Sequence, residues 1–411
     1  MAPPVFILGG WQSDFAENWA RDGREIFDAM RTAVSATLDA TALSPEAIEV
    51  AHIGNFAGEL FCGQGHLGGL FAQTHPALAG IPAARHEGAC ASGSLAILAA
   101  AADIEAGRYG VAAVLGVEQM RNVPGETAAH NIGGPAMWAG HECTAVRFPW
   151  PHVFSRLADE YDARYGLKHE HLAAIAQLNF ANARRNPNAQ TRRWQFEARS
   201  FAANDQLNPV IEGRIRKQDC GQITDGAAML VLASGEHARE WARQHGTSLE
   251  LLPRIVGWGH RTAPIAFEPK LRASRGSPYV FPEVRLAIEQ AFRRAELPGV
   301  DSLDGIEVHD CFTTTEYMAI DHLGLTPPGE SWRAIEAGDI APGGRLPINP
   351  SGGLIGLGHP VGATGVRMLL DAAKQVSGTA GDYQVEGAQR FGTLNIGGSA
   401  TTIVSFIVGR S

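Results

Sequence analysis

This sequence predicts an α/β fold, on three observations. Short apolar, strand-like runs alternate with helix-like runs along most of the chain. The order of elements in the first half returns in the second, as a pattern and without clear identity. Glycine is plentiful, 48 of 411 residues, which suits tight turns and close backbone packing. A chain this long exceeds one ordinary core, so two or three domains or subdomains are expected.

Residues 5–8 read as the first strand. The opening residues 1–10 carry no basic stretch and an apolar run of only four, so they read as strand and not as a signal peptide. Residues 24–38 place Ile26, Phe27, Met30, Val34 and Leu38 on one helical face, and residues 48–53 are a short strand. Residues 94–105 are so apolar that their helix must be buried on most sides; residues 111–117 read as a fully buried strand.

The rhythm then loosens. Gly133-Gly134-Pro135, Pro149-Trp150-Pro151 and Asn186-Pro187-Asn188 punctuate tryptophan-bearing loops and helices at 156–165 and 170–183. A strand run resumes at 223–232. That return divides the chain into a first half (1–118 with 219–247), an insertion (119–218) and a second half (248–411). In the second half, 255–257 reads as strand, 283–295 as amphipathic helix and 305–308 as buried strand. Helices follow at 314–323 and 361–376, and strands close the chain at 393–408. Two such layers sharing buried helices would bring their reactive turns to one interface.

A net charge of −9 argues against general nucleic-acid binding. Residues 119–218 run the other way, with 13 Lys and Arg against 9 Asp and Glu. Arg184-Arg185, Arg192-Arg193 and the set Arg214, Arg216, Lys217 are its densest part, either a solvated face or a docking face for a phosphorylated cofactor. The five cysteines, Cys62, Cys90, Cys143, Cys220 and Cys311, are odd in number and widely spaced. They fit neither a disulfide framework nor a metal site, and a reducing cytoplasm is the expected home. No apolar run reaches membrane-spanning length, and residues 408–411 are not a peroxisomal address.

Chemistry concentrates in three turns. His86-Glu87-Gly88-Ala89-Cys90-Ala91-Ser92-Gly93-Ser94 sets a cysteine at a bend before the alanine-rich helix. Gly356-Leu357-Gly358-His359-Pro360-Val361-Gly362 sets a histidine on a glycine-rich turn. A helix start favours the thiolate and an imidazole can take its proton, so the pair predicts an activated nucleophile. His309-Asp310-Cys311-Phe312 follows a buried strand, at the end where α/β sheets place their chemistry. Taken singly, each has a structural reading: Cys90 or Cys311 as core, His359 as a partner for backbone carbonyls.

Together, Cys90-Ala91-Ser92, His309-Asp310-Cys311-Phe312 and Gly358-His359-Pro360 resemble a thiolase over nearly the whole chain. The His-Asp-Cys-Phe loop, where most thiolases have Asn-Glu-Ala-Phe, is similar to the sterol-carrier-protein type. The resemblance implies the thiolase fold: two similar βαβαβαββ halves in a five-layer α-β-α-β-α arrangement, with an inserted loop domain. It implies thiolytic cleavage of 3-ketoacyl-CoA or the reverse Claisen condensation, through an acyl-cysteine on Cys90. His359 would be the base, His309 and His359 would hold the enolate oxygen, and backbone N–H groups of Cys90 and Gly398 would form the oxyanion hole. Many thiolases carry a proton-shuttling cysteine in a Cys-x-Gly loop; here Asn395-Ile396-Gly397 stands there, and the duty passes to Cys311.

Coenzyme A is implied as substrate, with no tightly bound cofactor, no metal, no nucleic acid and no membrane. Arg214, Arg216 and Lys217 are candidates for its phosphates, and Met137, Trp138 and Phe154 for the pocket wall. A homodimer or homotetramer is expected. Two alternatives stay open: acyl transfer inside a complex with a zinc-ribbon/OB-type partner, and a thiolase-like steroid aldolase, a group that generally lacks the nucleophilic cysteine.

Overall fold

The computed structural model describes residues 3–410; Met1, Ala2 and Ser411, which the readings of the two termini include, lie outside the described residues. Eleven strands are present among them: β1 (Val5–Gln12), β2 (Val50–Gly54), β3 (Ala83–His86), β4 (Val111–Glu118), β5 (Val210–Glu212), β6 (Ile215–Arg216), β7 (Gly226–Ser234), β8 (Arg254–Thr262), β9 (Gly305–Val308), β10 (Arg390–Gly397) and β11 (Thr402–Gly409). Nine form one sheet in the order β3-β2-β4-β7-β1-β8-β11-β10-β9, while β5 and β6 make a separate hairpin.

The duplicated pattern is visible in that order. β2 lies parallel to β4, β4 antiparallel to β7, and β7 antiparallel to β1. Likewise β9 lies parallel to β10, β10 antiparallel to β11, and β11 antiparallel to β8. The halves meet where β1 pairs with β8 through only Val5↔Ile255 and Phe6↔Arg254. One strand has no full counterpart. Where β3 flanks β2, the second half offers a single parallel bridge, Ile306↔Ile348. Pro347 and Pro350 flank that residue and cannot donate, so the strand stops at one pairing.

Alternation through the buried strands produces the layers. Val111, Ala113, Leu115 and Val117 of β4 pack with Ile26, Met30 and Val34 of the Ile26–Thr41 helix. Ala112 and Val114 face the other way, onto the helices Ser92–Glu105 and Val361–Ser377. Val404, Phe406 and Val408 of β11 cover the same two helices from the opposite side. Ile403 and Ile407 face outward, to helices Pro282–Arg294 and Thr313–Leu323. Two strand layers thus enclose a pair of buried helices, with helices outside both, giving five layers.

Close approach at the centre explains specific glycines. A Cβ at Gly116 would sit 2.5 Å from the Gly362 carbonyl oxygen, and one at Gly93 would sit 2.7 Å from the same atom. Segment 119–218 contributes helices Gly125–Gly133, Pro149–Tyr165 and His169–Ala183 and the β5–β6 hairpin. Its apolar residues Trp150, Phe154, Leu157 and Ile175 join the core built around Phe312 and Tyr317 of the second half.

Candidate active site

Cys90 is the middle residue of a tight turn, Ala89–Ala91, that leads directly into the Ser92–Glu105 helix. Ser92 Oγ donates to the Ala89 carbonyl (2.6 Å) and accepts from the Gly88 N–H (3.0 Å), which staples the bend. His309 and Cys311 leave the end of β9. Between them, Asp310 accepts from the N–H groups of Leu354 (2.5 Å) and Ile355 (3.1 Å), in the turn Gly353–Leu357 that precedes His359. The middle residue of one motif therefore anchors the loop of another. Burial pushes the Asp310 carboxyl up to about 7. Thr224, just before β7, accepts the His359 N–H at 3.0 Å.

These anchors gather three of the four predicted groups at one point. Cys90 Sγ and a ring nitrogen each of His309 and His359 lie within 4.8 Å of one another. The two imidazoles meet edge to face at 84°, with centroids 5.1 Å apart. The Gly398 backbone N–H favours the ionised form of the Cys90 sulfur. Cys311 lines the same cavity, its Sγ 3.6 Å from Thr315 Oγ1. The spacing of Cys90, His309 and His359 is also that of a Cys-His-His metal set.

Burial sets the protonation of the site. The Cys90 thiol is pushed up to about 12, because desolvation outweighs the hydrogen bonds from Gly398 and its own amide. His359 is pushed down to about 3, first by burial and then by the Arg367 charge. His309 falls well below the usual imidazole range through burial, His359 and Arg367; Cys311 rises through burial and the neighbouring Cys90. Desolvation thus opposes the expected resting thiolate, although Cys90 is only half-buried where it lines the cavity.

Thr364 Oγ1 lies 2.7 Å from His359 Nδ1 and 3.1 Å from the Pro360 carbonyl, an arrangement in which an Nδ1–H donates to the hydroxyl and the hydroxyl donates to the carbonyl. His359 Nε2 is buried and without a partner.

The cavity encloses 390 Å³. Cys90, Cys311, His359 and Gly398 line it, and Ile132, Phe148, Trp150 and Phe154 supply apolar wall. Phe154 stacks on Phe312 at 4.7 Å. Of the other two wall candidates, Met137 is buried in the core and Trp138 is 51% exposed. Lys217 and Gln222 line this cavity and also a neighbouring depression of 330 Å³ walled by Phe180, Trp194 and Phe196. Arg214 is held by Asp159 (2.7 Å) and Asp162 (2.6 Å), and Arg216 by Asp205 (2.7 Å).

Sequence reasoning missed four side chains that hold the site. Thr364 and Thr224 serve His359 as described. Asn395 Nδ2 contacts both the Cys90 carbonyl (3.2 Å) and His309 Nδ1 (3.1 Å). Lys270, buried, donates to the Ser399 carbonyl, Ser399 Oγ (2.9 Å) and Thr401 Oγ1 (3.1 Å), and so secures the turn that carries Gly398. Only Asn395 carried a signal, as the residue standing in the Cys-x-Gly position.

Family models place the chain. The thiolase N-terminal domain matches residues 6–236 and the thiolase C-terminal domain-like model residues 270–410. The acetyl-CoA acetyltransferase of Methanothermobacter thermautotrophicus is 31% identical over 406 residues, covering 99% of each chain. Sterol carrier protein 2 of Rattus norvegicus is 28% identical over 419 residues, covering 99% of this chain and 72% of that one. Among solved structures, an Ltp2-ChsH2(DUF35) aldolase superposes with a TM-score of 0.77 at 20% identity, over 100% of this chain and 99% of that one. Human mitochondrial 3-ketoacyl-CoA thiolase superposes with 0.71 at 16%, over 100% and 99%. Both likenesses are of fold.

Proposed function

The chain belongs to the thiolase family, and from that premise and the geometry at Cys90 we propose that it is an acyltransferase that cleaves 3-ketoacyl-CoA with CoA, or runs the reverse condensation, through an acyl-cysteine. The observation that carries the reading is the meeting of Cys90 Sγ with the two imidazoles beside a largely apolar cavity that Cys90 and His359 line.

In the cleavage direction, Cys90 Sγ attacks the 3-keto carbon as its proton passes to His359 Nε2, which is ready as a base. Both groups start neutral, so proton transfer accompanies attack. The N–H groups of Cys90 and Gly398 receive the oxyanion; losing one such donor typically costs about 2.7–4 kcal/mol of barrier. The C2–C3 bond then breaks, leaving the acyl group on Cys90 and an acetyl-CoA enolate. Cys311, whose buried thiol holds its proton, gives it to the enolate carbon. The incoming CoA thiol returns a proton to Cys311 and attacks the thioester, and Cys90 leaves with the proton held by His359.

Lys217 and Gln222, shared by the two cavities, mark the path of the pantetheine arm. The aromatic depression beyond them offers stacking faces for adenine, and segment 119–218 acts as the docking domain. Arg214 and Arg216 are committed to acidic partners, which leaves Lys217 as the charge facing the ligand.

A panel of 3-ketoacyl-CoA substrates with CoA, followed by loss of the enolate absorbance, tests the reading. Wild type should turn over and show an acyl adduct on Cys90 by intact mass. Cys90→Ala should show neither; an adduct on Cys90→Ala equal to wild type would sink the proposal. Turnover by the isolated chain separates this reading from acyl transfer that needs a zinc-ribbon/OB-type partner.

A further inference from the structure

We propose that Asn395 is a positioning residue that holds His309 in the tautomer protonated at Nε2, making His309 the hydrogen-bond donor to the enolate oxygen while His359 serves as base. This deepens the thiolase reading and rests on it.

The Cys90 carbonyl decides how the Asn395 amide is turned. Asn395 has two possible amide orientations, and its third partner, Ser94 Oγ at 2.8 Å, is a hydroxyl that can donate or accept in either. The Cys90 carbonyl can only accept. At 3.2 Å it requires Nδ2 there, because the flipped amide would set oxygen against oxygen. With Nδ2 fixed, one amide proton goes to Cys90 O and the other faces His309 Nδ1 at 3.1 Å. Two N–H groups cannot face each other, so Nδ1 carries the lone pair. His309 is neutral, being completely enclosed, and its single proton sits on Nε2.

His359 is set the opposite way by Thr364, with Nδ1 protonated and Nε2 free. Two imidazoles 5.1 Å apart therefore present one donor and one acceptor. The same logic disfavours a metal on the Cys-His-His group. An imidazole bound through Nε2 gives its Nδ1–H to an acceptor, and here Nδ1 meets an amide donor.

Histidine-selective ¹⁵N labelling of the full chain reads the tautomer directly, with His309 assigned from the signals lost in His309→Gln. The expected spectrum has a pyridine-type nitrogen at Nδ1 and an N–H at Nε2. In Asn395→Asp the carboxylate accepts, and the proton should move to Nδ1. Carbon–carbon cleavage should then fall about 10²–10³-fold, the loss typical of one oxyanion donor, while acylation of Cys90, whose carbonyl also loses its Asn395 donor, should fall much less. A merely structural role would lower both together. Asn395→Ala, which adds no charge, should give mixed tautomers and a smaller loss. His309→Gln, with an amide donor near the former Nε2–H, should retain more cleavage than His309→Ala.

The proposal is overturned by a lone pair at Nε2 of wild-type His309, by an unchanged tautomer in Asn395→Asp, or by acylation falling in step with cleavage. Absence of any adduct on wild-type Cys90 would overturn the underlying reading and the enolate role with it, whatever the tautomer.

Discussion

In the proposed mechanism each imidazole has one partner that sets where its proton sits, Thr364 for His359 and Asn395 for His309. Thr364→Val removes the acceptor for His359 Nδ1–H. It should slow Cys90 acylation by about 10-fold, the scale of one hydrogen bond to an active group, in stopped-flow mass measurements. The pH profile offers a second check. His359 loses function only as pH falls towards about 3, and Cys90 ionises only towards about 12, so any change in acylation between about pH 5 and 9 should follow the anchoring Asp310 carboxyl and Lys270 ammonium, both at about 7. A limb near neutrality that survives both Asp310→Asn and Lys270→Met would instead indicate a preformed ion pair. Lys217→Ala should raise KM for CoA about 10-fold, and Arg214→Ala should leave it unchanged. Cys90, His309, Cys311 and His359 were legible because each sits in a short motif with its own flanking glycines or strand. Thr364, Asn395 and Lys270 were not, because their roles are pairings. Ser94 and Asn395 are 301 positions apart, and no local pattern records that contact.

Elements transmit this precision to the site. The β10–β11 turn holds Gly398 and Ala400 at positive φ, and Lys270 secures it from a separate helix, Phe267–Ala273. Burial lowers the Lys270 ammonium to about 7. Lys270→Met leaves the Ser399 carbonyl without that donor and should cost about 1–3 kcal/mol of stability in denaturant titrations. It should also lower acylation more than substrate binding, since Gly398 is proposed to serve the transition state. Gly116→Ala is expected to be more damaging than an ordinary surface change, by about 1–3 kcal/mol, because backbone and not a flexible side chain stands in the way. Most elements were readable from period alone. The 111–117 run, the 361–376 helix and the 305–308 strand match their observed counterparts within a residue or two. The apolar pattern marks only three residues of β8, which spans nine, because Trp258, His260 and Arg261 interrupt that pattern while the backbone still pairs along β11.

At the scale of the molecule, topology follows from duplication, but the seam does not. Nothing in the apolar pattern announces that β1 and β8 touch through two residue pairs, or that the second half's fifth strand shrinks to Ile348. Behind the reactive histidines, wholly buried Arg367 bonds Glu307 at 2.6 Å and lies 3.4 Å from Asp371, joining the central helix to β9. Arg367→Met would strand two acids in the interior and should cost about 3–5 kcal/mol, read as a lowered unfolding midpoint. Helical and strand spacing could mark Arg367 only as an interruption of an apolar face. Its partners lie on other elements.

Gly398, which meets the Cys90 sulfur, lies in the hairpin between the final two strands, while Cys90 itself is made early. A chain emerging from the ribosome therefore carries the thiol long before it carries the amide proposed to receive the oxyanion. Partly synthesised copies, or products clipped ahead of β10, should lack chemistry altogether, so the order of residues itself delays activity until these two strands have been made.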